Sequence, residues 1–282
     1  MNSEFNNSFD FSCPVCAKPL LRQGRSYICQ NCHTFDMAKS GYINLLQSQK
    51  SKLSRHGDDH EMVKARTMFL EKGFYSPLAS KICDIVAIYS PPFPNIIDIG
   101  CGEGWYTEKI YAHLKSAVSQ PNIKGIDISK NALKSAARRC KDISFAVASV
   151  SSLPFSADNA DMIINIFAPS APGEFARVLK PGGVFLKVIP LEDHLLNLKR
   201  EVYKTPYRNT VGSLEVPGFS LKERYDIKYD LHLSSSEDIE NLFKMTPYYY
   251  KTSAEDQKKL TLLSSLTTEI QFGILVYINQ ED

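Results

Sequence analysis

Two groups of residues in this sequence have the types and spacing that chemistry requires. The first is the stretch from Ile96 to Trp105, IIDIGCGEGW, where an apolar run ends in Asp98 and glycines follow at alternate positions, Gly100, Gly102 and Gly104. An apolar strand that breaks into a tight turn at its carboxyl end marks where an open α/β sheet binds its ligand. Glycine belongs there because positive φ is cheap only without a Cβ, and because bare backbone lets a ligand approach closely. The spacing excludes the dinucleotide fingerprint G-x-G-x-x-G, since Trp105 and Thr107 stand where its third glycine would fall. The second group is Cys13, Cys16, Cys29, Cys32 and His33, in the pattern C-x2-C, twelve residues, C-x2-C-H. Each C-x2-C turn aims two sulfurs at one point, and two such turns complete a tetrahedron around Zn2+. Five candidates compete for four places, and spacing alone favours the symmetrical set with Cys32. A module this small has little core of its own, so metal supplies its folding energy, on the order of 10 kcal/mol or more, and chelation is expected to unfold it.

The rest of the chain has to position these groups. At 282 residues with 43% hydrophobic content it can build one large domain and a small one. The expected division is 1–57, a zinc knuckle with a basic loop, and 58–282, the catalytic domain. The net charge of +2 hides an asymmetry, because residues 11–57 hold seven Lys or Arg against one acid, Asp36. Beside a zinc knuckle, Lys50, Lys52 and Arg55 read as phosphate contacts rather than as a plain solvated loop. No apolar run approaches the ~20 residues of a membrane span, and the first ten residues are polar and acidic, so no membrane partner and a cytoplasmic location are expected. There the seven cysteines stay thiols or bind metal, and the scattered Cys83, Cys101 and Cys140 read as core packing.

From Asp59 to about Tyr89 the apolar period is helical, with Gly73 as an interruption, so two helices lead into the sheet. The strand ending in Asp98 is followed by the helix TEKIYAHLKSAV and a second strand, NIKGIDIS, ending in Asp127. That acid lies 23 residues beyond Gly104, close to the ~20 at which a strand-two carboxylate accepts the ribose hydroxyls of a nucleoside. The competing role, capping the next helix, can be taken by Ser129. Further strands lie at ISFAVAS and MIINIF, and a fifth follows the turn at Pro181, Gly182 and Gly183. This alternation requires right-handed parallel crossovers and a doubly wound, Rossmann-like α/β sheet. Two late strands, near SLKERYDIKYDLHL and EIQFGILVYI, would extend it as an antiparallel pair.

The pattern D-x-G-x-G-x-G after a strand resembles the first motif of the class I S-adenosylmethionine (SAM) methyltransferases. The wider set is more specific: CPVC, then YICxxxHxFDMAKxGYxNLL, GFY, DIGCGEGxYT, the LPF loop, FAP, LKPGG, HLLxLK and the late MTP. Together these resemble the large-subunit (23S) ribosomal RNA guanine-N1 methyltransferase family, over about residues 11–200. The resemblance implies SAM and Zn2+ as cofactors, large-subunit ribosomal RNA as partner, and a homodimer. It implies zinc ligands at Cys13, Cys16, Cys29 and His33, against the symmetrical spacing. It places SAM contacts at Tyr75, Gly102, Glu103 and His194, which join Asp98, Gly100 and Asp127 of the loop and second strand. Glu103 also fits a plain helix-start acid. Guanine N1 carries a proton at neutral pH, and the sequence assigns its removal to no residue. Phe167, Ala168 and Pro169 end strand four, where nitrogen methyltransferases hold the target base; Phe167 could stack on a guanine or belong to the core. A hairpin loop is the expected target because its bases splay out cheaply. Two rival readings stand beside this one: a SAM enzyme acting on a small molecule or protein with the knuckle as scaffold, and a non-catalytic zinc RNA-binding protein.

Overall fold

The structure, a computed structural model, describes residues 9–47, 57–117 and 121–280. Lys50, Lys52 and Arg55 lie outside the described residues. The amino-terminal module is a three-stranded antiparallel sheet of β1 (Leu20–Gln23), β2 (Ser26–Cys29) and β3 (Thr34–Asp36), followed by the short β4 (Ile43–Asn44). Two helices come next, α1 (His60–Glu71) and α2 (Ser76–Tyr89). Asp59 caps α1 by accepting the Met62 amide at 3.0 Å, and Gly73, at φ +78°, turns the chain before Pro77 opens α2.

The doubly wound part runs β5 (Asn95–Ile99), α3 (Trp105–Ala117), β6 (Asn122–Asp127), α4 (Lys130–Arg139), β7 (Ser144–Val147), β8 (Ala160–Ile166), α5 (Pro172–Val178), β9 (Leu179–Pro190). It closes with α6 (Leu196–Val202), β10 (Phe219–Leu233), α7 (Ser236–Lys244), α8 (Ala254–Thr261) and β11 (Leu266–Asn279). These strands and β4 form an eight-stranded sheet in the order β10-β11-β9-β8-β5-β6-β7-β4, parallel from β9 to β4 and antiparallel at β9, β11 and β10. The late antiparallel pair expected from the sequence is present. From β5 the chain winds outward on both sides, to β6 and to β8, so a crevice opens at the carboxyl end of β5.

The module is built into this sheet. Ile43 and Asn44 pair in parallel with Ala146 and Val147, so β4 is the sheet's edge strand. Phe9, Phe11, Leu20 and Tyr27 belong to the same buried cluster as Ile97, Ile99 and Ile126 of the sheet. Phe9 stacks on Phe155 with ring centroids 5.6 Å apart, and the Ser12 amide donates to the Pro154 carbonyl at 2.7 Å. The module does have a core, and it shares that core with one face of the catalytic sheet. Lys124 pays a cost for this arrangement: buried with its ammonium 4.8 Å from the Phe11 ring, it is pushed down to about 8 by desolvation.

Candidate cofactor site and metal centre

The loop after β5 is held by its own backbone. The Gly100 and Cys101 amides donate to the Ile126 carbonyl at 2.8 and 3.1 Å, and the Gly104 amide to Cys101 at 3.0 Å. Gly100, Gly102 and Gly104 all have positive φ, at 71°, 57° and 83°. A Cβ on Gly100 would lie 2.4 Å from the Ala168 Cβ, whereas one on Gly102 would meet nothing nearer than Arg66 at 3.6 Å. The two positions therefore separate backbone strain from collision. Gly102→Ala is expected to cost about 1–2 kcal/mol from the left-handed backbone alone. Gly100→Ala should cost clearly more and displace the turn at 167–169. Urea unfolding of the two variants checks this, and equal losses would contradict the assigned contact.

Asp127 ends β6 beside this loop, half-buried. Its Oδ2 accepts the Gly102 amide at 2.9 Å and its Oδ1 the Ser129 amide at 2.7 Å. Burial raises its pKa, while the two amides pull the other way. Ser129, not Asp127, caps α4 through its hydroxyl, which accepts the Ala132 amide at 3.2 Å. A carboxylate has about four acceptor positions, so Asp127 keeps capacity for a ligand's hydroxyls after holding the loop.

Asp98 is fully buried and accepts a 2.6 Å hydrogen bond from the Thr107 hydroxyl. Burial pushes its carboxyl up to about 7; the Thr107 bond opposes this and the Asp127 charge adds to it. The folded chain therefore holds a proton that the unfolded chain releases at the ordinary carboxylate value. Stability drawn from this group falls as pH rises from about 4 to about 7. Relative to the native chain without cofactor, Asp98→Asn should gain on the order of a few kcal/mol between pH 5 and pH 8, read as urea midpoints. A difference that does not change with pH would refute the burial-driven shift.

Tyr75, Phe167 and His194 come from three separate parts of the chain and meet on one ring. Phe272 of β11 lies 5.2 Å from Tyr75, 4.9 Å from Phe167 and 4.4 Å from His194, centroid to centroid. His194 Nδ1 accepts the Gln271 amide at 3.3 Å, which leaves its proton on Nε2; burial, with Lys199 nearby, lowers its pKa to about 3, so the ring is neutral. Phe167 is 45% exposed and has φ +57°, a conformation an aromatic residue adopts only when its surroundings impose it. The Glu103 side chain turns to α4: it is buried, with Oε2 3.0 Å from Arg139 Nη2. Its pKa is raised by burial and lowered by Arg139. The helix-start acid has become a buried ion pair, so the residue faces the loop mainly through its backbone.

Sequence reasoning missed three residues here. Phe272 is one apolar residue in an apolar strand, and nothing in its spacing singles it out. The Tyr106 hydroxyl and Asn165 Oδ1 are buried without a hydrogen-bond partner among the described residues. Tyr106 follows the glycine loop, and Asn165 is the penultimate residue of β8, its amide donating to the Pro169 carbonyl at 2.9 Å. Orphaned polar atoms beside a bare glycine cradle suit a polar nucleoside-bearing ligand.

In the module, ligand atoms of Cys13, Cys16, Cys29 and His33 all lie within 4.8 Å of one another. Cys13 Sγ and Cys29 Sγ are 3.5 and 3.4 Å from His33 Nδ1, and Cys16 Sγ is 3.6 Å from Cys29 Sγ. A tetrahedral zinc with ordinary bond lengths requires about 3.5 Å between S and N and about 3.8 Å between sulfurs. The set fits Zn2+. Cys32 is exposed, at φ +61°, and stands outside the cluster.

A doubly wound sheet with this loop after its first strand and an acid at the end of the second defines a class I SAM-dependent methyltransferase. The fold agrees with a solved chain of the complex between the Haloferax volcanii Trm112 methyltransferase activator and a methyltransferase, at TM-score 0.51 and 17% identity over 80% of this chain and 100% of that one. The family description "RlmA, N-terminal", a zinc ribbon, matches residues 11–55, and "Methyltransferase domain" matches residues 96–183. The protein is 30% identical to YxjB of Bacillus subtilis (strain 168), named among the 23S rRNA (guanine-N(1)-)-methyltransferases, over 94% of this chain and 96% of that one. It is 38% identical to the 23S rRNA (guanine(748)-N(1))-methyltransferase of Streptomyces fradiae, over 66% of this chain and 65% of that one. The chain belongs to the 23S rRNA (guanine-N1)-methyltransferase family.

Proposed function

We propose that this protein methylates N1 of a guanine in a hairpin loop of large-subunit ribosomal RNA. The observation that carries the reading is the match to a relative of that name over nearly the whole of both chains, ribbon and catalytic sheet together. SAM, when bound, supplies an activated methyl group. The chain's own residues bind and align. Asp127 accepts the ribose hydroxyls. Asp98, with the amides from Gly100 through Gly102 and Glu103, holds the methionine end, and Tyr75 and His194 close over the cofactor from the Phe272 side. Phe167 stacks on the guanine, which explains why an exposed aromatic is held at strained φ next to Ala168 and Gly100. Proximity and water exclusion supply most of the acceleration. Cys13, Cys16, Cys29 and His33 bind the zinc.

Residues 1–57 serve RNA recognition and 58–282 catalysis, within one packed body. Among the described residues no helix is long and apolar enough to cross a membrane; an RNA substrate of the ribosome supports a cytoplasmic location, and the family resemblance supports a homodimer. Incubating the purified protein with methyl-labelled SAM and a mixture of ribosomal RNA, ribosomal proteins and small-molecule extract tests the substrate class. Label is expected in the large ribosomal RNA. Label confined to protein or small molecules would favour the scaffold reading of the ribbon.

A further inference from the structure

Away from the cofactor loop, where the module meets α4 and the start of β7, lies a groove of about 830 Å³. Arg22 and Lys39 line it from the module, Lys134, Arg138 and Lys141 from the catalytic domain, and no carboxylate does. All five cations are exposed, and among the described residues none is in an ion pair. The acids close to these cations in sequence have other partners: Asp142 has Lys115 and Tyr111, each at 3.2 Å, and Asp36 has the Ser26 hydroxyl at 2.6 Å. A concave surface of one sign repels itself and concentrates counterions of the other sign.

Ordinary surface chemistry explains only part of this. Arg138, in the last turn of α4, complements the helix dipole, and Lys141 lies just beyond it. Lys134 stands mid-helix, one turn before Arg138 on the same outer face, because Ala132, Leu133, Ala136 and Ala137 take the inner one. Arg22 and Lys39 come from a different part of the chain and are brought opposite that face because β4 pairs with β7. The packing that gives the module its core thus also builds the groove. Its α4 wall leads toward the active end of the sheet, since α4 starts three residues after Asp127 and spans about 15 Å.

We infer that this groove grips the sugar-phosphate backbone of the substrate RNA, with the zinc module and α4 as the two sides of one clamp. The inference rests on the RNA-methyltransferase reading above and assigns the surface that reading lacks. The contacts are to phosphates, so they set affinity and register and leave the choice of base to the active site.

The test uses the full chain in two variants, Arg22→Gln with Lys39→Gln, and Lys134→Gln with Arg138→Gln and Lys141→Gln. SAM titration confirms folding. The control replaces with Gln the exposed Lys204, just after α6, Lys222 of β10 and Lys258 of α8, none of which lines the groove. Binding to a large-subunit RNA fragment is measured across salt concentrations. Each lost phosphate contact should lower the log-log salt slope by about 0.7 to 0.9. The pair should lose about 1.5 and the triple about 2.5, while the control keeps the native slope. Groove variants that behave like the control overturn the clamp. If they do so while the native protein still methylates the RNA, the clamp alone fails. If the native protein transfers no methyl to RNA, the parent reading fails and the clamp with it.

Discussion

Cys29→Ser is expected to release the metal, abolish RNA methylation and lower the thermal midpoint by about 10 °C or more. Cys29 is buried at the end of β2, where it pairs with Leu20 and lies 3.4 Å from His33 Nδ1. Structural zinc contributes on the order of 10 kcal/mol to domains of this kind, against a total stability of about 5–15 kcal/mol. Even about 4 kcal/mol lost would shift the midpoint of a chain this long by roughly 10 °C. The loss would not stop at the ribbon, because Phe11, Leu20 and Tyr27 share a cluster with Ile97 and Ile99 beneath the catalytic strands. SAM affinity measured well below the transition should stay within about threefold of native, since the amides of the glycine loop are held by Ile126, Asp127 and Cys101 rather than by the module. Metal analysis and calorimetry check both parts. A variant that keeps full RNA methylation after losing its zinc would contradict the assigned role.

Asp127→Ala should weaken SAM binding about 100-fold. The side chain accepts the Gly102 and Ser129 amides at 2.9 and 2.7 Å, and in the role proposed for it the remaining acceptor capacity takes the ribose hydroxyls. Losing a charged hydrogen-bond partner costs roughly 1.5–3 kcal/mol, and leaving buried donors unsatisfied adds to that. The helix cap survives, because Ser129 supplies it. Calorimetric titration of the folded variant decides the matter; an unchanged affinity would remove Asp127 from the site.

The same pair of motifs shows how far the sequence could be read. The glycine spacing and the acid 23 residues further on are local patterns, and the structure has them in the turn after β5 and at the end of β6 because a strand, its turn and the next strand are fixed by nearest neighbours. Choosing between Cys32 and His33 was beyond spacing alone. It depends on Cys32 taking φ +61°, which leaves its side chain exposed. Ile43 and Asn44 are too few to show any period, yet they join the module to the sheet. The meeting of Tyr75, Phe167 and His194 on Phe272, and the placing of Arg22 and Lys134 around one groove, bring together residues separated by tens to about two hundred positions. Such contacts are set by packing, and no pattern along the chain encodes them.

Nuclease digestion and mass spectrometry of large-subunit ribosomal RNA, after reaction with the purified protein and SAM, identify the modified base and atom. The expected product is 1-methylguanosine at a single position in a hairpin loop, absent when Asp127→Ala replaces the native protein at limiting SAM. Methylation at another atom or another base, or unmodified RNA alongside demonstrated SAM binding, would contradict the proposed function.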